Sequence, residues 1–276
     1  MSVLCLGEVW LELNAAMAPE LTETFRAQTG GWGAGFCRQY AALGGQAALL
    51  AQLGADPFGR KLAAQLARDG VDCSLLCFTD AFPTPVVFTG ADTALPYRAH
   101  TAGLALGPEQ LEAAPFRGAS AFCFSSAGLV DSPLRLAHLK ALAAARDAGA
   151  LTCFAPCLEP ALWPQPEGEA ALREVTRQLL PRADIAILTT EELEFLFGTA
   201  EMRVALFPLL RGHTQLVLLA RAEGIHAFTR TNHAFWPGLS LPAPRLAAKA
   251  LCCLLQKNST PEKLPRLTTR QLQTIL

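Results

Sequence analysis

Gly30-Gly31-Trp32-Gly33-Ala34-Gly35 opens a stretch that runs on through Leu43-Gly44, Gly54-Ala55-Asp56-Pro57-Phe58-Gly59-Arg60 and Asp69-Gly70-Val71-Asp72. Paired glycines ahead of a helix let the backbone approach a ligand and act as a hinge. The helix they open stops at Leu43-Gly44. Residues 47–52 then read as a buried strand, and Asp56-Pro57 supplies an N-cap with proline at the first helical position. That second helix reaches about Asp69, where Gly70 ends it. Glycine turn, helix, strand and capped helix together predict a parallel sheet covered by helices.

The same alternation extends outward in both directions. Residues 3–6, 74–78, 121–125, 151–155, 185–188, 216–220 and 225–229 read as further strands. Ser132-Pro133 opens a helix over 134–148 that Gly149 closes. Thr190 reads as an N-cap, with Glu191 and Glu192 in the first turn and a stop at Gly198. Residues 245–256 and 267–276 read as helices. Two segments break the rhythm: residues 10–28 and 83–101 alternate polar and apolar residues without a crossover helix. They predict a small antiparallel sheet standing off the main one as a lid. With no linker or repeat, residues 1–276 form one domain.

The chain has 276 residues, with 23 Lys and Arg against 24 Asp and Glu, a net charge of −1. Near-neutrality gives no general attraction to nucleic acid or anionic lipid. At 51% hydrophobic and 17% charged, against about 25% charged on average, the chain can build a large core. No apolar run is long enough to span a membrane, and the start lacks a basic region of a secretory signal. A soluble cytoplasmic protein is expected. The nine cysteines include two pairs at C-x3-C spacing, Cys73/Cys77 and Cys153/Cys157, without a nearby His. They read as buried free thiols, with no disulfide framework and no metal site.

The succession of double glycine, helix, Leu-Gly, strand, G-x-DPFG, helix and Gly-Val-Asp resembles the N-terminal signature of the ribokinase-like, or PfkB, carbohydrate kinases. Gly7-Glu8-Val9-Trp10-Leu11-Glu12-Leu13 resembles the first strand and sugar-contacting turn of the fructokinase and 2-keto-3-deoxygluconate kinase branch. Tyr97-Arg98 resembles the lid strand that reaches over the sugar. Residues 155–163 sit where fructokinase-like members carry D-P-N-x-R-x-x-L-W. Residues 183–198 resemble the strand and helix of the N-x-x-E magnesium motif, and Ala222-Glu223-Gly224 the nucleotide-side turn T-x-G-x-x-G. Likeness covers about residues 1–230. It implies a three-layer α/β sandwich and ATP-dependent phosphoryl transfer to a sugar hydroxyl. In that mechanism the N–H groups of a G-A-G-D helix start hold the phosphate, and its aspartate takes the proton.

The decisive positions depart from the pattern. The last aspartate is Asp184 and the last glycine Gly238, so no G-x-G-D exists near the C-terminus. The anion-hole block is expected to be deleted. Glu12 stands for the first-strand aspartate and Gly35 for the sugar-binding asparagine. Ala155, Cys157 and Glu159 replace the Asp, Asn and Arg of D-P-N-x-R. Thr189 replaces the asparagine of N-x-x-E, leaving Glu192. Leu219 and Arg221 replace the threonine and first glycine of the nucleotide turn.

The expected site therefore has no catalytic base and no metal ligand set. Glu12, Gly30, Gly31, Gly35 and Arg98 are candidate ligand contacts, and Glu192, Glu223 and Gly224 are remnants of the nucleotide and magnesium side. Glu12 equally reads as a solvated strand-end acid, Arg98 as a surface charge, and Glu192 as a first-turn acid. His100, in the lid segment, could face the site. The expectation is a homologue with impaired phosphotransfer that still binds a small sugar, sugar acid or polyol. ATP and Mg2+ are expected only if the family activity is retained, and dimerisation through the lid is expected from the resemblance. Two other readings stay open: an active kinase using Glu12 or Glu159 as base, and a regulatory or partner-binding subunit.

Overall fold

The computed structural model describes residues 2–91, 93–164 and 166–276; Asp92, inside the expected lid, lies outside them. The strands are β1 (Ser2–Leu6), β2 (Trp10–Asn14), β3 (Arg26–Gly30), β4 (Gln46–Gly54), β5 (Leu76–Thr79), β6 (Val86–Gly90), β7 (Thr93–Tyr97), β8 (Ala119–Ser125), β9 (Leu151–Ala155), β10 (Ile185–Thr189), β11 (Leu216–Arg221), β12 (Gly224–Phe228) and β13 (His233–Pro237). The helices are α1 (Trp32–Ala42), α2 (Pro57–Arg68), α3 (Ala102–Ala105), α4 (Ala114–Arg117), α5 (Pro133–Asp147), α6 (Gly168–Leu179), α7 (Thr190–Phe197), α8 (Met202–Arg211), α9 (Ala243–Gln256) and α10 (Thr269–Leu272).

Among the described residues, a nine-stranded sheet runs in the order β13-β12-β11-β10-β9-β8-β1-β4-β5. Pairing is parallel from β5 to β11, and β12 and β13 add an antiparallel edge. Strands buried on both faces read as continuous apolar runs, because alternate residues feed opposite cores. Val3, Cys5, Ile185 and Ile187 meet Phe36, Leu62 and Leu251 of α1, α2 and α9. Leu4, Leu6, Ala186 and Leu188 meet Leu142, Leu172 and Leu196 of α5, α6 and α7 on the other side. Full burial of each large apolar side chain contributes about 1.5–3 kcal/mol, so these layers dominate stability. This is the expected three-layer α/β sandwich.

The cap at Asp56 ties the lid stem to the sheet as well as starting α2. Its carboxylate accepts from the Gly59 N–H at 2.8 Å and from the Thr84 N–H at 2.7 Å, and these bonds hold the carboxyl below its ordinary range against the opposing effect of burial.

The lid is a four-stranded sheet in the order β3-β2-β6-β7. It is mixed, not antiparallel as expected, because β2 pairs with β6 in parallel. Each hairpin grows from the end of a parallel strand, β1 or β5, so their first strands run the same way.

Four smaller expectations are corrected. Thr189, not Thr190, caps α7, its hydroxyl accepting from the Glu192 N–H. Residues 267–276 form only the short α10, capped at Thr268 after the 3-10 turn Pro261–Arg266. Strand β13 was not expected, its five residues being bounded by His233 and Pro237. Cys5, Cys37, Cys123 and Cys153 are buried thiols, but Cys73, Cys77, Cys157, Cys252 and Cys253 are only partly buried. Among the described residues no helix is long and apolar enough to cross a membrane.

Candidate functional site

In an open parallel sheet the ligand crevice lies beyond the carboxyl ends of the strands. That edge collects Glu8 after β1, Ser126 after β8, Cys157 and Glu159 after β9, Thr189 and Glu192 around the end of β10, and the β11–β12 turn. The lid rises from the same edge, since β2 follows β1 and β6 follows β5.

Trp10, Glu12 and Asn14 alternate onto one face of β2, with Gly30, Gln28 and Arg26 beside them on β3 and Val87 and Thr89 on β6. Gln28 donates to the Glu12 carboxylate at 2.7 Å, Thr89 donates to it at 3.4 Å, and Asn14 donates to the Thr89 hydroxyl at 2.9 Å. Glu12 is therefore a half-buried acceptor held in a polar network. The opposite lid face is apolar: Phe25, Phe88 and Tyr97 form a ladder with ring centroids 5.2 and 5.6 Å apart.

Both expected glycines are required by close approach. A Cβ on Gly30 would collide with the Trp10 indole nitrogen and stand 2.7 Å from Glu12 Oε2. Gly31 has φ +110° and lies against the Glu8 carbonyl, so no other residue fits there. Trp10, Thr29 and Trp32, which flank the pair, each bury a polar atom that finds no partner among the described residues. Gly35 is elsewhere: a Cβ on it would meet Pro244 at 3.7 Å, so it faces the first turn of α9.

Arg98 is the main correction. It is neither a surface charge nor a free ligand contact, but is 4% exposed. It pairs with Glu8 and donates to the carbonyls of Leu162 at 3.1 Å and Ala127 at 2.8 Å. The guanidinium thus fastens the end of the lid to the turns after β1, β8 and β9. Burial pushes the Glu8 carboxyl up to about 7 even though Arg98 opposes the shift. Sequence reasoning passed over Glu8; the signal was a carboxylate set between Gly7 and Val9 at the end of an apolar strand.

Cys157 and Glu159 follow β9. Burial, with Glu192 and Glu159 nearby, pushes the Cys157 thiol up to about 12. Glu159 is half-buried, and burial raises its carboxyl. It lines a cleft of about 530 Å³ against Asn14, Thr89, Thr93 and Ala94 of the lid. Glu192 accepts from the Thr189 N–H at 2.8 Å while Thr189 accepts in return, and burial pushes its carboxyl up to about 8. It is thus a capping acid. Glu223 pairs with Arg221 at 2.7 Å and approaches His226 at 3.4 Å, and Gly224 opens β12. The Arg221–Glu223 pair closes the turn where a glycine would leave it open. His100, with φ +55°, lines a different cleft of about 370 Å³ with Phe82, Thr101 and the start of α5.

The helix expected over 245–256 starts two residues earlier. An ordered helix, α9, begins at Ala243 with Pro242 as its N-cap, and the Leu246 N–H already bonds to the Pro242 carbonyl. Its first turn reads Pro242-Ala243-Pro244-Arg245, with Pro244 toward Gly35. Two of the four residues there lack an N–H, Arg245 is exposed, and no Asp or Glu occurs between Glu223 and Glu262.

Comparison with known proteins follows the same lines. The profile described as pfkB family carbohydrate kinase matches residues 2–240. Probable fructokinase-3 of Arabidopsis thaliana is 35% identical over 199 residues, covering 69% of this chain and 56% of that protein, so the match spans little more than half of its length. Fructokinase-1 of Zea mays is 31% identical over 252 residues, 87% of this chain and 76% of its own. The fructokinase of Xylella fastidiosa with bound ATP superposes with a TM-score of 0.86 at 25% identity, over 99% of this chain and 88% of that one.

Proposed function

The chain belongs to the pfkB family of carbohydrate kinases, and from that premise we propose that it is a soluble cytoplasmic homologue that binds a small polyhydroxyl ligand under its lid and has lost phosphoryl transfer. One observation carries the reading. No G-x-G-D stands in the C-terminal region, and the helix packed against α1 there, α9, starts Pro242-Ala243-Pro244-Arg245, without a carboxylate or a glycine. A missing general base costs about 10²–10⁴ in rate, and a missing oxyanion donor about 10²–10³. An Arg at that point attracts anions and cannot accept a hydroxyl proton.

The residues on the nucleotide side do not fit the family's magnesium ion. One oxygen of Glu192 is committed to the cap of α7, its buried carboxyl resists ionisation, and Thr189 offers no amide. No step through ATP or Mg2+ is derived from them. The binding side is better kept. Glu12, Gln28, Thr89 and Asn14 form a connected polar network, and its Asn14 and Thr89 line the cleft with Glu159.

The apolar outer face of the lid supports a homodimer closed through it, since Leu95 and Tyr97 are otherwise left exposed, Tyr97 at 66%. One observation favours the rival reading of an active kinase: the carboxyl of Glu159, raised by burial, has the character of a general base. A coupled ADP-release assay across neutral sugars, amino sugars and sugar acids separates the two. The proposal expects no sugar-dependent turnover. Turnover that disappears in Glu159→Gln establishes the rival.

A further inference from the structure

Among the described residues, the charge that lines the cleft is one-sided. Glu159 lines it as a half-buried carboxylate, and no ion pair or hydrogen bond to that carboxylate is found among the described residues. Its other walls, Asn14, Thr89 and Thr93, are neutral hydrogen-bonding groups. The expected cation, Arg98, is occupied by Glu8 and two carbonyls in the body of the protein. Arg26 lies opposite Asn14 in register, yet it is exposed and does not line the cleft. Glu12 adds a second acceptor on the same lid face, bonded to Thr89.

A separate mark of a ligand group stands further down the same face of β2. Trp10 is over nine-tenths buried at 8% exposure, and its indole N–H has no partner among the described residues. It converges with the Glu12 carboxylate over Gly30. A donor and an acceptor meeting at one point suit a hydroxyl, which gives one hydrogen bond and takes another. A buried donor left unpaired is costly, so a group that fills it gains affinity.

We propose that the lid cleft selects a polyhydroxylated ligand that carries an amino group, an amino sugar or aminopolyol, with Glu159 as its counter-ion, and that it rejects sugar acids. The ammonium of such a ligand sits against Glu159, its hydroxyls bond to Asn14 and Thr89 and reach along β2 toward the Trp10–Glu12 pair, and a carboxylate in the same place meets Glu159 and, among the described residues that line the cleft, no cation. This rests on the ligand-binding reading above and narrows its substrate class.

Isosteric pairs isolate the charge. Glucamine against sorbitol, and 1-amino-1-deoxyfructose against fructose, replace one hydroxyl by an ammonium; gluconate supplies the acid. Calorimetric titration at pH 7 measures all five on the wild type, on Glu159→Gln and on the shorter acid Glu159→Asp, with thermal unfolding as the check that each variant folds. A charge-assisted contact at a half-buried site is worth about tenfold. The amine of each pair is expected to bind about tenfold tighter than its alcohol, with gluconate weakest. Glu159→Gln removes the preference and Glu159→Asp keeps its direction. Equal binding of amine and alcohol, gluconate binding as tightly as either, or a preference that survives Glu159→Gln overturns the charge assignment while leaving ligand binding intact. Failure of all five to bind overturns the ligand-binding reading itself.

Discussion

Arg98 joins the lid to the body through one buried ion pair and two carbonyls, and its removal should show a pH signature. Arg98→Met leaves Glu8 buried without a cation. The Glu8 carboxyl already lies near 7 against an ordinary 4.5. A raised acid gives stability that is full below about 4.5 and is lost as pH rises through 7, and without Arg98 that loss continues to higher pH and is larger in total. Urea unfolding should show Arg98→Met costing about 3 kcal/mol at pH 8 and clearly less at pH 5, because breaking a buried pair strands the remaining charge. An equal cost at both pH values would mean that the pair carries little charge. Glu192 obeys the same sign: its carboxyl, near 8, destabilises as it ionises. Glu192→Gln keeps an acceptor for the Thr189 N–H, so it should flatten part of the fall in stability between pH 5 and 8.5, by on the order of 3 kcal/mol; an unchanged slope would place the titration elsewhere. The signal at Glu8 was passed over, and the fate of Arg98 was not legible in the sequence. An Arg on a lid strand reads as surface, and only the approach of three turns from distant segments buries it.

At the level of elements, the glycine turn, α1, α2 and the parallel strands were legible because their signals are local. Asp56-Pro57, Gly70 and Gly149 sit where cap chemistry requires, and each strand is a continuous apolar run. The lid was legible as a place but not as a topology, since whether β2 and β6 run parallel depends on which ends of the main sheet they leave. The body of α9 was legible from its apolar spacing, and only its start, at Ala243, lies two residues before the expected one. The lid also carries the test of assembly. Its outer face presents Leu95 and the Phe25–Phe88–Tyr97 ladder. Placing a charge there, as in Tyr97→Glu, should weaken a lid-to-lid dimer by at least about tenfold in sedimentation velocity, since charges are depleted from interface cores. A wild-type monomer, or a dimer unmoved by Tyr97→Glu, would remove the lid from the assembly.

For the whole molecule, the fold keeps the three layers of the sandwich and the lid that rises from the carboxyl edge of the sheet. What differs is chemical. The first turn of α9 holds Pro242, Pro244 and Arg245, the Glu192 carboxylate is spent on a cap, and Arg221 closes on Glu223 across the nucleotide-side turn. Phosphoryl transfer depends on positioning and charge more than on covalent chemistry. The proposed function is therefore that of a scaffold that binds without reacting. The most direct measurement is phosphorus NMR of the wild-type protein incubated with ATP, Mg2+ and the sugar panel. Spectra should show ATP persisting and no sugar phosphate above the enzyme-free control. A sugar-phosphate resonance that grows with protein concentration and vanishes in Glu159→Gln would contradict the loss of catalysis and make the protein a working kinase with an unconventional base.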